Sequence, residues 1–214
     1  MRTSTFRMVG ATAAVLAATV SLTACKKAAS PAAPPVAAGP TADAPGCDVA
    51  RAYVTSRLGR FADKAMVVVD SAAPNTTFVP LLKAADITRK YDPGQENPAG
   101  WPKDPPSAAL VTAWQAAAQT SPFGSCVDFA KVVADAGVSM GKVDIKEKAN
   151  KDGAYRTQVN FTMPVVSADG AEALILEEGR SGPGLIELAV HLRKDKTGAW
   201  TEADALAVLT NAGS

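Results

Sequence analysis

The sequence predicts an α+β fold in which N-terminal helices pack on a C-terminal antiparallel β-meander of about five strands. Two observations support this class. Apolar residues recur with a helical period of about 3.6 in separate segments between residues 48 and 137, and with a strand period of about two from residue 142 onward. Short turn sequences join the later segments, and short connections favour strands that pair in chain order. A chain of 214 residues suits one domain, placed here at residues 47–214.

The first expected helix follows Asp48, a residue type that favours helix N-termini, and ends near Gly59. The apolar run AMVVVD at residues 65–70 fits either a short strand or the end of a helix, because periodicity does not separate the two. Residues 74–106 contain many prolines and little apolar rhythm, which predicts a long loop.

Two further helices are expected after this loop. Ser107 is a capping residue, and the segment that follows places Trp114 on its apolar face. The pattern Ser125–Asp128 resembles a capping box that opens the last helix, which Gly137 ends.

The second half predicts strands joined by turns rich in Asp, Asn and Gly. The expected strands are 142–149, 154–166, 171–178, 185–193 and a last one that starts at residue 199. In the fourth of these, Ile186, Leu188, Val190 and Leu192 form the row expected to be buried. The opposite row holds Glu187 and His191 and is expected to face solvent.

The first 24 residues carry the strongest functional signal. Arg2 and Arg7 precede a short uncharged stretch rich in small and apolar residues, as in a secretory signal peptide. The stretch ends in Leu22-Thr23-Ala24-Cys25, which resembles the lipobox of bacterial lipoproteins. The resemblance implies cleavage before Cys25, addition of diacylglycerol and an amide-linked acyl chain such as palmitate, and a lipid anchor in the bilayer.

The lipobox resemblance also bears on charge and location. Removal of the signal peptide leaves 20 basic and 21 acidic residues, a balance without the basic excess of a nucleic-acid binder. No aspartate follows Cys25, which by the enteric sorting rule favours the outer membrane over the inner one. A protein anchored in this way is expected to face the periplasm.

Residues 25–46 are expected to form a lipidated linker rich in alanine and proline, which can space a domain from a lipid surface. Beyond it, Cys47 and Cys126 are the two remaining thiols of a chain expected in an oxidising compartment. These conditions predict a disulfide between them. A metal site or a reactive thiol is the less favoured alternative, because two separate cysteines and one distant histidine do not match metal-ligand spacing.

Three common functional motifs are absent from the sequence. It contains no G-x-S-x-G, no phosphate-binding loop and no H-E-x-x-H. The lone His191 is expected to be a solvated strand residue. Glu177 and Glu178 are neighbours on one strand and therefore face opposite ways, so a solvated sheet face is favoured over a joint catalytic role. No catalytic residue, metal or cofactor is predicted.

Two loops contain weak candidates for ligand recognition. Trp101 lies in the proline-rich loop, where an aromatic ring either forms a binding platform or fixes the loop to the domain. Arg180 lies in the sequence GRSGPG, where it either meets an anion or belongs to a plain hairpin loop.

The C-terminal strand and turn pattern of residues 138–203 is similar to the ending of many uncharacterised secreted bacterial proteins. Helices before a curved meander also resemble the nuclear-transport-factor-like and cystatin-like architectures. These resemblances imply a fold and assign no catalytic residue.

The sequence as a whole predicts a non-enzymatic lipoprotein that binds an envelope component or protein. One form of this prediction is an inhibitor of a cell-wall-degrading toxin, because seven acidic residues against four basic ones from Glu172 onward suit a basic partner. The alternative is a carboxylate-dependent hydrolase of an envelope glycan that uses Glu177 or Glu187.

Overall fold

The computed structural model describes residues 40–74, 103–144, 151 and 153–210, and for residues 206–210 the backbone alone. Three α-helices are present in this part: α1 (Cys47–Gly59), α2 (Ala108–Ala116) and α3 (Phe129–Asp135). The strands are β1 (Val67–Val69), β2 (Ser139–Met140), β3 (Thr157–Phe161), β4 (Val165–Val166), β5 (Glu172–Ser181), β6 (Gly184–Lys194) and β7 (Trp200–Thr210). The α+β class predicted from the sequence is confirmed.

The described strands form one mixed sheet in the order β2-β1-β3-β5-β6-β7, with β4 paired to β5. From β3 to β7 every neighbouring pair is antiparallel, as the turns between them predict. Strand β1 departs from the expected meander, because it pairs in parallel with both β2 and β3. The ambiguous run at residues 65–70 is therefore a strand in part, and it lies on the opposite side of β3 from β5.

Helices cover both faces of the sheet. On the α1 face, helices α1 and α3 pack on the odd-numbered residues of β3 and β5, including Val159, Phe161 and Ile175. On the α2 face, Leu110, Val111 and Trp114 of helix α2 pack on Leu174, Leu176 and Ala189. Trp114 is fully buried, as its helical position predicts. Two covered faces mean that polar side chains on either face also lie in the interior.

Helix boundaries agree with the sequence in part. Ser107 caps α2, because its hydroxyl accepts a hydrogen bond from the backbone N–H of Leu110 at 3.3 Å. The expected cap at Asp48 is wrong, because α1 already begins at Cys47 and the Asp48 carboxylate accepts instead from Trp200 Nε1. The capping box at Ser125–Asp128 is also wrong, because Asp128 has a left-handed backbone and caps nothing with its side chain.

The strand predictions also need correction. The segment expected at 142–149 contributes no described strand, although β2 ends just before it at Met140; residues 145–150 lie outside the described residues. The loop expected between residues 178 and 185 is shorter in the structure. Strand β5 extends to Ser181, and a turn at Gly182 and Pro183 leads directly into β6.

Candidate functional site

An apolar cavity of about 620 Å³ opens on the α1 face, where helix α1 ends and the paired strands continue beyond it. Its wall is formed mainly by apolar side chains and by two glycines, which leave space where side chains would stand. The lining residues are Arg57, Phe61, Thr157, Val159, Glu177, Gly179, Ser181, Gly184, Ile186 and Leu188. A concave apolar site with few polar groups is the usual form of a small-molecule pocket.

The register of the strands explains this lining. Gly179 of β5 lies opposite Val159 of β3 on one side and opposite Ile186 of β6 on the other. Directly opposed residues share a face, so this row runs across the sheet beneath the cavity. A Cβ built on Gly179 would meet only the carbonyl oxygen of Ile186 at 3.9 Å, which is ordinary contact. The missing side chain of Gly179 therefore contributes open space.

Ile186 corrects a sequence prediction. It was expected in a buried row with Leu188, Val190 and Leu192, but it is 44% exposed, whereas Val190 and Leu192 are buried. The reason is its position near the start of β6, where no described helix covers the sheet and the apolar cavity opens. Ile186 thus belongs to the rim of the cavity and not to the core.

A buried ionic network forms the polar side of the apolar cavity. Glu177 accepts hydrogen bonds from Arg57 Nε at 2.8 and 2.9 Å, from Arg57 Nη2 at 2.7 Å and from the hydroxyl of Tyr53 at 2.6 Å. Helix α1 places Tyr53 and Arg57 on one side because they are four residues apart. The guanidinium of Arg57 also lies 5.0 Å from the ring centre of Phe61, a cation–π distance.

The buried network raises the pKa of both of its proton donors, Tyr53 and Arg57. Burial raises the pKa of Tyr53, and the neighbouring charge of Glu177 raises that pKa further. The hydrogen bonds that Arg57 donates to Glu177 raise the pKa of Arg57. Tyr53 is therefore a neutral donor and Arg57 a permanent cation, so the network has a net charge near zero.

The solvated face predicted for the glutamates and His191 is wrong. Glu177, Glu178, Glu187 and His191 are each 2% exposed. The sheet is covered on both faces, so alternation of polar and apolar residues does not separate solvent from interior here. Each buried charge is compensated by a partner or by a shifted pKa. Glu178, on the α2 face, accepts from Arg180 Nε at 2.8 Å.

His191 lies under the segment that leads into α2. Its Nδ1 lies 2.9 Å from the carbonyl oxygen of Asp104, so Nδ1 donates and carries the ring proton. Its Nε2 is buried without a hydrogen bond and lies 3.9 Å from a carboxylate oxygen of Glu172. Burial lowers the pKa of His191, which keeps the ring neutral.

The other predicted site residues fall in different places. Cys47 and Cys126 form a disulfide that joins the start of α1 to the segment before α3. Arg180 lines a cavity on the α2 face, away from the apolar cavity. Cys25 and Trp101 lie outside the described residues. The sequence did not predict the cluster of Tyr53, Arg57 and Glu177, because Glu177 lies at least 120 residues away from the other two.

The described part of the chain shows neither of two features that would point to other functions. No group of three or more His, Cys, Asp or Glu side chains there is arranged to hold a metal ion. The helices within these residues are too short or too polar to cross a membrane.

Comparison with known proteins adds no relative. No family model matches the chain, and neither a curated protein nor a solved structure is significantly similar to it.

Proposed function

We propose that this chain is a lipid-anchored protein of the bacterial cell envelope whose folded domain binds a small amphipathic molecule with an acyl-like apolar body. The observation that carries the binding function is the apolar cavity of about 620 Å³. Its size falls within the range of small-molecule sites, and it exposes apolar walls that would otherwise be costly to hydrate.

The chemistry of the lining supports this class of ligand. Phe61, Val159 and Leu188 offer apolar contact, while the polar side is the Arg57–Glu177 pair, which is already neutral as a unit. A ligand with a full compensating charge is therefore not required. An apolar chain with one hydrogen-bonding head group near Arg57 matches both parts of the wall.

The anchor and the location are supported by the sequence and by the disulfide. The lipobox-like sequence that ends at Cys25 follows a signal-peptide pattern. A disulfide between Cys47 and Cys126 is typical of proteins folded in an oxidising compartment such as the periplasm. Outer-membrane placement follows from the absence of aspartate after Cys25.

The test of binding uses a truncated form without the anchor, which begins at Pro40, the first residue that the structure describes. A dansyl-labelled fatty acid is titrated while its fluorescence is followed. Gly179→Leu is expected to weaken binding at least about tenfold, because the leucine side chain would fill part of the cavity. A Cβ at this position meets no atom closer than 3.9 Å, so the substitution itself introduces no clash. Gly124→Leu is the matched control, since it adds the same side chain at an exposed position with open space around it. Equal binding by both variants would refute the proposal.

The anchor has a separate test. Cys25→Ser is expected to prevent acylation and to reduce retention in a membrane fraction prepared after high-salt and carbonate washes, whereas Cys25 in the unchanged chain should incorporate labelled palmitate. Absence of label in the unchanged chain would contradict the lipoprotein assignment and would leave the binding proposal standing.

One form of the binding hypothesis loses its support. A basic toxin was expected to meet an acidic sheet face, but Glu177, Glu178 and Glu187 are buried, and the first two are bonded to arginines. These side chains therefore offer no acidic surface to a partner.

The hydrolase alternative has one supporting observation. Glu178 and Glu187 lie directly opposite each other on β5 and β6, and burial together with the charge of Glu178 raises the pKa of Glu187. Two carboxyls with different acidities are the usual requirement for glycan cleavage. Release of soluble sugars from purified peptidoglycan, lost in Glu187→Gln and retained in Glu177→Gln, would support this alternative over binding alone.

A further inference from the structure

A second cavity lies on the α2 face and has a different lining. Its volume is about 300 Å³, at the lower end of the range for small-molecule sites. Three of its polar residues, Asp70, Asn160 and Glu178, are at least nineteen-twentieths buried, and Gln158 is nearly so. Lys142 and Arg180 complete its charged groups. We name it the polar cavity.

The floor of the polar cavity is built from a chain of hydrogen bonds. The Nε2 of Gln158 donates to Asp70 Oδ2 at 3.2 Å and to Asn160 Oδ1 at 3.0 Å. The Oε1 of Gln158 accepts from the backbone N–H of Val143 at 2.9 Å, and Asn160 Nδ2 donates to the carbonyl of Ala72 at 3.2 Å. These contacts fix both amides, so the wall is ordered before any ligand arrives.

The polar cavity has two anionic and two cationic side chains, and the anionic ones lie deeper in the protein than the cationic ones. The carboxylates of Asp70 and Glu178 are buried, with 7% and 3% of their side chains exposed. The cations lie farther out: the side chain of Arg180 is 38% exposed and that of Lys142 is 74% exposed. A ligand that matched this arrangement would carry a positive group inward and a negative group outward.

The two cationic side chains, Arg180 and Lys142, can still donate hydrogen bonds to a ligand. Among the described residues, the guanidinium of Arg180 makes its hydrogen bond through Nε, to Glu178 Oε1 at 2.8 Å. Its terminal amino groups have the geometry to bind a carboxylate through two parallel bonds. Lys142 lies 3.8 Å from Asp70 Oδ2, a distance too long for a hydrogen bond, and can reorient at the rim.

A further buried carboxyl group, that of Glu187, lies next to Glu178 beside this cavity. It is 2% exposed and lies opposite Glu178 on the α2 face. No described group donates a hydrogen bond to Glu187, and the neighbouring charge of Glu178 contributes to its raised pKa after burial itself. A positive group placed near Glu178 would relieve this repulsion.

We propose that the polar cavity binds a small zwitterion with the chemistry of a free amino acid, its ammonium toward Asp70 and Glu178 and its carboxylate toward Arg180 and Lys142. The opposite charges of such a molecule match the two depths of the cavity. This site is separate from the apolar cavity, and neither depends on the other.

The test is calorimetric titration of the full chain, purified in detergent, with three matched probes. L-alanine carries both charges, L-alaninamide carries the ammonium alone, and N-acetyl-L-alanine carries the carboxylate alone. L-alanine is expected to bind at least about tenfold more tightly than either of the others, because each of those lacks one charge-assisted set of hydrogen bonds. Equal affinity of L-alanine and one analogue would overturn the zwitterion assignment, and absence of heat with all three would overturn the site.

Variants locate the binding in the polar cavity. Arg180→Gln is expected to weaken L-alanine about tenfold and to leave L-alaninamide unchanged, since the amide has no carboxylate to lose. Lys142→Met is expected to weaken L-alanine about threefold. Its side chain is mostly exposed, so this variant tests the site even where Arg180→Gln fails to fold.

Arg60→Gln and Lys196→Met are the matched controls, because Arg60 pairs with Glu202 at the surface and Lys196 lies in an exposed turn. Unchanged binding in both cavity variants, or equal loss in the controls, would refute the proposal. Binding of the dansyl-labelled fatty acid should be unaffected by either cavity variant, which separates this result from the test of the apolar cavity.

Discussion

Both faces of the sheet hold a buried carboxylate paired with an arginine, Glu177 on the α1 face and Glu178 on the α2 face, but the α2 face also holds buried titratable groups that are compensated differently. On the α1 face, Glu177 is bonded by Arg57 and by the hydroxyl of Tyr53, so its charge is matched by a cation and a neutral donor. On the α2 face, Glu187 has no described donor and His191 is held neutral.

This difference indicates different responses to pH and to mutation. A bonded ion pair resists mild changes of pH, whereas isolated buried groups remain free to titrate and so make folding pH-dependent. Substitution of a bonding partner should therefore reduce stability most on the α1 face. On the α2 face, stability should depend most on pH.

The largest expected effect comes from the disulfide, which fixes the α1 face covalently. The double variant Cys47→Ser with Cys126→Ser should lose about 4 kcal/mol of unfolding free energy, because a closed loop of this length restricts the unfolded chain. The sequence separation of the two cysteines is 79 residues. Urea titration measures the loss. Reduced wild-type protein should match the variant, and a much larger loss in the variant would show packing damage instead.

Removal of Arg57 should be the next largest effect. Arg57→Ala leaves the buried Glu177 without its cation, which typically costs about 3 kcal/mol. Arg60→Ala provides the comparison three residues later, because its pair with Glu202 is more exposed and should cost less than about 1 kcal/mol. Urea midpoints of the two variants are compared at pH 7. Similar losses would mean that burial of the Glu177 network has no energetic consequence.

His191 should make the α2 face sensitive to acid. Its pKa is lowered in the folded state from an ordinary value of 6.5, so below pH 6.5 the unfolded chain gains a proton that the folded chain does not. Unfolding free energy should fall as the pH drops from 6.5 toward the folded pKa, by at most about 1.4 kcal/mol per pH unit. His191→Gln should remove this part of the slope. If unfolding free energy depended on pH identically in wild type and variant, His191 would not be the source of the acid sensitivity.

Glu187 should give the smallest effect, of the opposite sign. Its raised pKa means that the folded state holds the proton more tightly, so stability falls as the pH rises from its ordinary value of 4.5 through the folded pKa. Glu187→Gln should therefore raise the urea midpoint at pH 7 and leave it nearly unchanged near pH 4. Glu202→Gln, at a more exposed pair, serves as the control. A lowered midpoint at pH 7 would show that the charge of Glu187 is stabilised in the fold.

Local sequence patterns predicted several features correctly, although the local caps expected at Asp48 and at Ser125–Asp128 are wrong. The cap at Ser107, the apolar position of Trp114 and the turns between the long strands depend on neighbours within a few residues, and each agrees with the structure. The pairing of β1 depends on chain far away in sequence. The run of three valines fits several partners, and only the packed sheet selects a parallel one.

The candidate sites were harder to predict because their polar residues alternate as in a solvated strand. Glu177 and His191 looked exposed from their own strands, since the pattern of one strand does not reveal a second covering layer. The residues that neutralise them come from elsewhere: Arg57 from α1, and the carbonyl of Asp104 from the segment before α2. Arg180 was expected in a glycine-rich loop, but it lies in β5 and bonds to Glu178, a partner that the sequence did not predict.

The disulfide has a mechanical consequence. Cys47 is the first residue of α1, so tension along the chain that precedes it reaches the crosslink before it reaches the rest of the helix backbone. Tension applied along that preceding chain would pass through the sulfur atoms to Cys126 and into the segment before α3. Apart from the contact of Asp43 with Arg51, helix α1, and with it Tyr53 and Arg57, would carry little of the load. Pulling on the N-terminal chain should therefore leave the apolar cavity intact until the crosslink is reduced.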